Sequence, residues 1–141
     1  MSTHLAASPV AEAVFSVLTL DATLDALVPG GIHDDVPEDP TYPCLWYELL
    51  TETDRRGLGT GSLPELDLRV HAFSLYGGKA RAQAIIDRVI ALLKDVALTI
   101  AGWTQAGLVF YDRTIALPVD ELNGVKVHEI VATFRIFAEA P

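Results

Sequence analysis

The chain is poor in cysteine, in positive charge and in long uncharged apolar runs. One cysteine, Cys44, stands in 141 residues, which excludes a scaffold built on disulfides. Ten lysines and arginines face 19 aspartates and glutamates, a formal net charge of −9. A protein that grips nucleic acid needs a clustered basic face, and this balance argues against one. The most helix-like apolar stretch, residues 79–96, carries six charged side chains, so we expect no membrane span.

The composition that remains predicts one globular domain. Half of the residues are hydrophobic and 21% are charged, which excludes intrinsic disorder. A chain of this length buries enough surface to hold a core without disulfides or metals. We therefore predict a single domain over residues 1–141.

The spacing of apolar residues predicts an α+β fold. Helical spacing occurs in residues 10–20 and most clearly in residues 79–96, while residues 66–75 alternate between apolar and polar side chains. The other predicted strands are residues 32–34, 44–53, 98–100, 107–111, 113–117 and 125–137, with a hairpin signal at Asn123-Gly124. This order predicts an antiparallel β-sheet packed by one long helix, with an additional N-terminal helix.

No motif of catalysis or cofactor binding is complete. Gly57, Gly59 and Gly61 lack both the spacing and the following helix of a dinucleotide site, and Gly77-Gly78-Lys79 lacks the rest of a phosphate-binding loop. The histidines do not have metal-ligand spacing, and His71 and His128 fall in predicted strands, where we expect hydrogen-bonded structural histidines. We therefore predict no enzyme, no catalytic residue, no cofactor and no metal.

The loosest segment is residues 54–64, Asp-Arg-Arg-Gly-Leu-Gly-Thr-Gly-Ser-Leu-Pro. Its three alternating glycines give it little internal structure. Long loops of this kind are usually functional or disordered. We expect either a flexible loop or one that forms an interface.

The order of several segments resembles a known family. They are 10–18 and 21–28 in the N-terminal region, Ile32-His33-Asp34-Asp35-Val36-Pro37-Glu38, Tyr42-Pro43, the strand 70–74, Tyr76-Gly77-Gly78-Lys79-Ala80 and the helix 85–93. Together they resemble the phage tail completion, or tail terminator, family of long-tailed phages and gene transfer agents. The resemblance covers nearly the whole chain and has no catalytic motif to match.

The resemblance implies a structural virion protein with a fold like that of the tail tube. Such proteins form a hexameric ring on the head-proximal end of the tube, stop its polymerisation and offer a docking surface to the head-tail connector. The implied partners are other copies of the chain, the tail tube protein and the connector or stopper protein. DNA would pass through the lumen without specific binding, and no membrane is involved. The implied location is the tail or neck of the virion, and the host cytoplasm during assembly.

The ring implies an interface between different patches of neighbouring copies. We expect Arg55 and Arg56 to pair with acids on a neighbour, and Leu58 and Leu63 to dock into an apolar groove. The same predicted interface includes Tyr42 and Tyr76. We also expect the acidic excess to keep the channel wall from holding DNA phosphate.

Two alternatives remain open at this stage. One is another neck component, such as a head-completion or stopper protein. The other is a small α+β ligand-binding domain with a pocket between sheet and helix.

Overall fold

The computed structural model describes residues 7–35, 38, 41–54, 64–75, 79–105, 108–118, 120–122 and 125–139. Within these residues the helices are α1 (Ala7–Thr19), α2 (Ala22–Leu27) and α3 (Lys79–Leu93). The strands are β1 (Ile32–His33), β2 (Cys44–Asp54), β3 (Pro64–Ser74), β4 (Thr104–Gln105), β5 (Phe110–Ala116), β6 (Asp120–Leu122) and β7 (Val125–Glu139). The fold is α+β, as predicted.

The sheet is organised around β7, the longest strand. One edge of β7 pairs with β3, and β2 and then β1 follow beyond β3. The other edge of β7 pairs in turn with β6, β5 and β4. All of these pairs are antiparallel except β1 with β2, so the sheet predicted as antiparallel is mixed at this edge. The reason is the connection between the two strands, which returns the chain to its starting side and lets Leu45 N–H bond the carbonyl of Gly31.

The core lies between one face of the sheet and the helices. In β3 the predicted alternation holds, and its inward side chains have no exposed surface. The main core side chains are Leu66, Leu68, Val70 and Ala72 from β3, Ile130, Ala132, Phe134 and Ile136 from β7, and Ile85, Ile86, Val89 and Leu93 from α3. Burying each of the larger ones contributes about 1.5–3 kcal/mol, so this layer is the main source of stability. None of the described helices packs on the opposite face of the sheet.

The chain after α3 departs most from the sequence prediction. The helix ends at Leu93 because Asp95 takes a left-handed conformation (φ 58°) and its N–H bonds the carbonyl of Val109. Residues 98–100, predicted as a strand, form no strand, and the Leu98 N–H donates to the side-chain oxygen of Gln105. These bonds reach partners seven to fourteen residues away.

Two predicted strands, 107–111 and 113–117, merge into the single strand β5. A β-bulge between Tyr111 and Arg113 adjusts the register with β7, so the polar residue between them did not end a strand. The hairpin predicted at Asn123-Gly124 is confirmed by the pairing of Leu122 with Val125, although its first arm is the short β6. The two turn residues themselves lie outside the described residues.

Asp21 ties the helical layer together. Its carboxylate accepts the Leu24 N–H at 2.8 Å and so caps α2, and it receives two further bonds, at 2.6 and 2.8 Å, from the guanidinium of Arg88 in α3. The Arg88 hydrogen bonds are the main reason that the pKa of Asp21 falls to about 2.

The described helices include none that is long and apolar enough to cross a membrane.

Candidate interaction surfaces

Only one of the six predicted interface residues lies in the described part of the chain. Tyr42 is half-buried directly before β2, and its ring meets the edge of Phe73 at 6.4 Å. The other five, Arg55, Arg56, Leu58, Leu63 and Tyr76, lie outside the described residues. The predicted loop 54–64 loses its first and last residues to the strands, because Asp54 and Pro64 are the last pair of the β2–β3 ladder.

A row of side chains crosses the helix-free face of the sheet. The strand register places Trp46, His71, Val131 and Ile115 side by side on β2, β3, β7 and β5. The Trp46 ring stacks on the His71 ring at 4.1 Å, with 7° between the planes. His71 is therefore only 8% exposed even though no described helix covers it.

His71 also bridges two carboxylates. Its Nδ1 lies 2.6 Å from Glu129 on β7, and its Nε2 lies 3.1 Å from Glu48 on β2. A neutral imidazole has one N–H and donates to one carboxylate, whereas a ring with an N–H on each nitrogen donates to both. The prediction that His71 is a hydrogen-bonded structural histidine is confirmed. For His128 it stays a prediction: its buried Nδ1 has no partner among the described residues.

Acids and bases alternate on this face. Arg69 on β3 and Arg113 on β5 flank Thr133 of β7, and Arg135 lies 3.8 Å from Asp67 and over the ring of Phe110. The described charged side chains that strand alternation places on the face are Glu48, Glu65, Asp67, Glu129 and Glu139 against Arg69, Arg113 and Arg135. The face thus has two more described acids than bases, a small part of the net charge of −9 of the whole chain.

Both ends of the sheet present backbone edges. β1 pairs only with Leu45 and Trp46, and no described strand lies beside residues 47–50 of β2. At the other end, no described strand lies outside β5. Apolar side chains stand along these edges: Leu50 is 41% exposed, Phe110 52% and Ile115 42%. A strand edge with apolar side chains is a template for pairing with another chain.

Comparison with known proteins identifies the family of the chain. The family model described as "Tail completion protein gp17" matches residues 12–139. The chain belongs to this family. The family of the sequence prediction is thereby confirmed, and the chain is a structural component of a phage-type particle rather than an enzyme.

Solved structures support the same fold. A chain in the structure titled "Virion of native gene transfer agent (GTA) particle" is 24% identical and has a TM-score of 0.77, with 98% of this chain and 100% of that chain covered. The bacteriophage SPP1 gp17 protein is 20% identical with a TM-score of 0.62, over 94% of this chain and 91% of that one. The comparison with curated proteins gave no match. The particle context of this tail completion family implies association with other virion proteins.

The signals for the bridged histidine were not visible in the sequence. Trp46, Glu48 and Glu129 were not predicted as a cluster, because Glu129 is 58 residues from His71 and meets it only through the β3–β7 register. The alternation in β3 did place His71 on the face opposite Leu66, Leu68 and Val70. Both acids are diagonal neighbours of His71, whose directly paired residues are Trp46 and Val131.

Proposed function

We propose that this tail completion protein forms a closed ring that caps the head-proximal end of a tail tube. The ring stops tube polymerisation and offers the docking surface for the head-tail connector. The observation that carries the proposal is a sheet with two open and different edges in a member of this family. The proposed partners are other copies of the chain, the tail tube protein and the connector, with DNA passing through the lumen.

The two edges favour a ring over a symmetric pair. The edge of β2 differs from the edge of β5, so a contact between them is heterologous and leaves one edge free on each copy. Rotation from copy to copy closes such contacts into a ring, and the family resemblance gives six as the expected number. Pairing would satisfy backbone groups on both edges and would cover Ile115 and Leu50. Tyr42 and Tyr76 belong to the same proposed interface.

Tail length in particles made without this chain tests the proposal. We expect overlong, irregular tails without heads when electron microscopy measures the length distribution, with normal length restored by the intact gene. Tails of normal length that fail to join heads would instead identify another neck component. Normal, infectious particles would overturn the assembly role.

A further inference from the structure

A groove runs between α1 and the edge formed by β1 and β2. It consists of two adjoining cavities of about 440 and 270 Å³, which share Ser8, Ala11, Asp34 and Tyr47. One end reaches Phe15 and Ile32, and the other reaches Leu49 beside the open edge of β2. We call it the α1–β2 groove.

The α1–β2 groove has a strip of apolar and aromatic side chains, Phe15, Ile32, Tyr47 and Leu49, between polar ones. Tyr47 forms the floor; it is 4% exposed, and its hydroxyl lies 3.5 Å from the Ala11 carbonyl. Burial is the main cause that raises the pKa of Tyr47 to about 12, so the phenol stays neutral at neutral pH. Phe15 stands on the wall with its ring 6.5 Å from that of Tyr47 and remains 42% exposed. An apolar side chain from another segment would remove this surface from water.

The rim of the groove is acidic. Glu12 and Asp34 are exposed beside the cavity, and none of the described lining residues is a lysine or arginine. A segment with positive charge next to an apolar side chain therefore complements both the rim and the floor.

We propose that the α1–β2 groove receives residues 55–63 of a second copy of the chain. Arg55-Arg56 is the one place in the sequence where two lysines or arginines are adjacent, and Leu58 follows after Gly57. The arginines would face Glu12 and Asp34, and the leucine would cover Phe15. Gly57 and Gly59 on either side of Leu58 have no side chains that would hold the backbone away from the groove. This inference rests on the proposed function, because it places the contact between copies in the ring.

The reach of the chain requires a second copy as the donor. Residues 55–63 start and end at the same edge, since Asp54 pairs with Pro64. Tyr47 lies seven residues back along β2 from Asp54, a distance of about 23 Å at 3.3 Å per residue. Leu58 follows Asp54 by four residues, and its backbone extends at most about 14 Å from there. The backbone of Leu58 therefore falls short of Tyr47 and Phe15 in the groove of its own chain.

Cysteine cross-linking tests the contact. Protein with Ala11→Cys is mixed with protein with Leu58→Cys, both as purified chains and in assembled particles, and treated with a short bis-maleimide. The native Cys44 does not compete, because burial raises the pKa of its thiol to about 11. We expect at least tenfold more dimer than from the matched pair with Leu20→Cys, whose site is 85% exposed and outside the groove. An equal yield would overturn the inference, and so would a mainly intrachain product when both cysteines are on one diluted chain.

Charge reversal supplies a second test, because a combined variant that regains assembly cannot be misfolded. We expect Glu12→Arg and the pair Arg55→Glu with Arg56→Glu each to lower the assembled fraction in native mass spectrometry at least fivefold. Combining them should restore it to within twofold of the parent, while the exposed Asp25→Arg on α2 leaves it unchanged. A combined variant that assembles no better than either alone would overturn the groove contact. Normal capping of tails alongside that result would leave the proposed function standing.

Discussion

His71 holds three strands together from the middle one. Its imidazole contacts Glu48 on β2 and Glu129 on β7, while the Trp46 indole covers one ring face. Each contact joins residues far apart in the chain, so the side chains add to the backbone ladders in fixing the order β2-β3-β7. Buried polar groups of this kind are costly when one partner is removed.

Glu129→Ala is expected to lower the free energy of unfolding by about 1–3 kcal/mol, because Nδ1 of His71 loses its partner while it stays mostly buried. Urea unfolding followed by tryptophan fluorescence measures the change. The matched control is Glu139→Ala at the exposed end of the same strand, which should stay within about 0.5 kcal/mol of the parent. Equal effects of the two substitutions would show that the bridge does not stabilise the sheet.

Asp21 gives a pH dependence with a definite sign. The Arg88 hydrogen bonds lower its pKa from 3.8 to about 2 in the folded chain, so the folded state favours the charged carboxylate. The stabilisation is complete above the unfolded pKa and is lost as the pH falls from about 4 to about 2. We expect Asp21→Asn to lower the melting temperature at pH 7 and to have a shrinking effect as the pH approaches 2.

Circular dichroism melts at a series of pH values measure this effect. Arg88→Gln is the control, because removal of the guanidinium should abolish most of the pH-dependent part of the Asp21→Asn effect. An Asp21→Asn effect that stays constant from pH 7 to pH 2 would contradict the assigned ion pair.

At the scale of the elements, α3, β3 and β7 were predicted well because each has a strong periodic contrast between water and core. The same contrast is absent in residues 96–109. There the backbone is held by the Val109 N–H to Val96 carbonyl bond and by the Gln105 side chain, and neither bond follows a local period. The short apolar–polar–apolar sequence 98–100 suggested a strand, but Leu98 and Ile100 are buried there without strand pairing.

Ile86→Ala in α3 is expected to cost about 2–5 kcal/mol of unfolding free energy, because the side chain is fully buried against the sheet and leaves a cavity. Chemical denaturation measures the loss. Arg81→Ala on the exposed side of the same helix controls for helix propensity and should change stability little. A small loss for Ile86→Ala would mean that α3 does not pack on the sheet as described.

At the scale of the whole molecule, the acidic excess is unevenly distributed. The helix-free face has five described acids against three bases and the helices have three of each, so most of the acidic excess belongs to the connections and the remaining strand positions. If the helix-free face lines the channel of the proposed ring, its described residues do not form the strongly acidic wall that the net charge alone suggested. The acidic wall stays a hypothesis for the other surfaces.

Ile115→Lys is expected to leave the fold and melting temperature nearly unchanged and to reduce ring assembly at least tenfold. A lysine on an open strand edge opposes pairing with another strand, and Ile115 is already 42% exposed. Native mass spectrometry measures the oligomer and circular dichroism the fold. Leu20→Lys, at an exposed site directly after α1, is the matched control. Unimpaired assembly of the Ile115→Lys variant would exclude the β5 edge from the ring contact.

The sequence by itself determined the α+β class, the long covering helix, the inward residues of β3 and the family. Each of these depends on local periodicity or on the order of segments, and burial of apolar side chains enforces both. Only the tertiary structure decided the parallel edge strand β1, the single bulged strand β5, the His71 bridge and the α1–β2 groove. These features join residues distant in the chain, and the pairing register that brings them together is a property of the folded sheet rather than of any one segment.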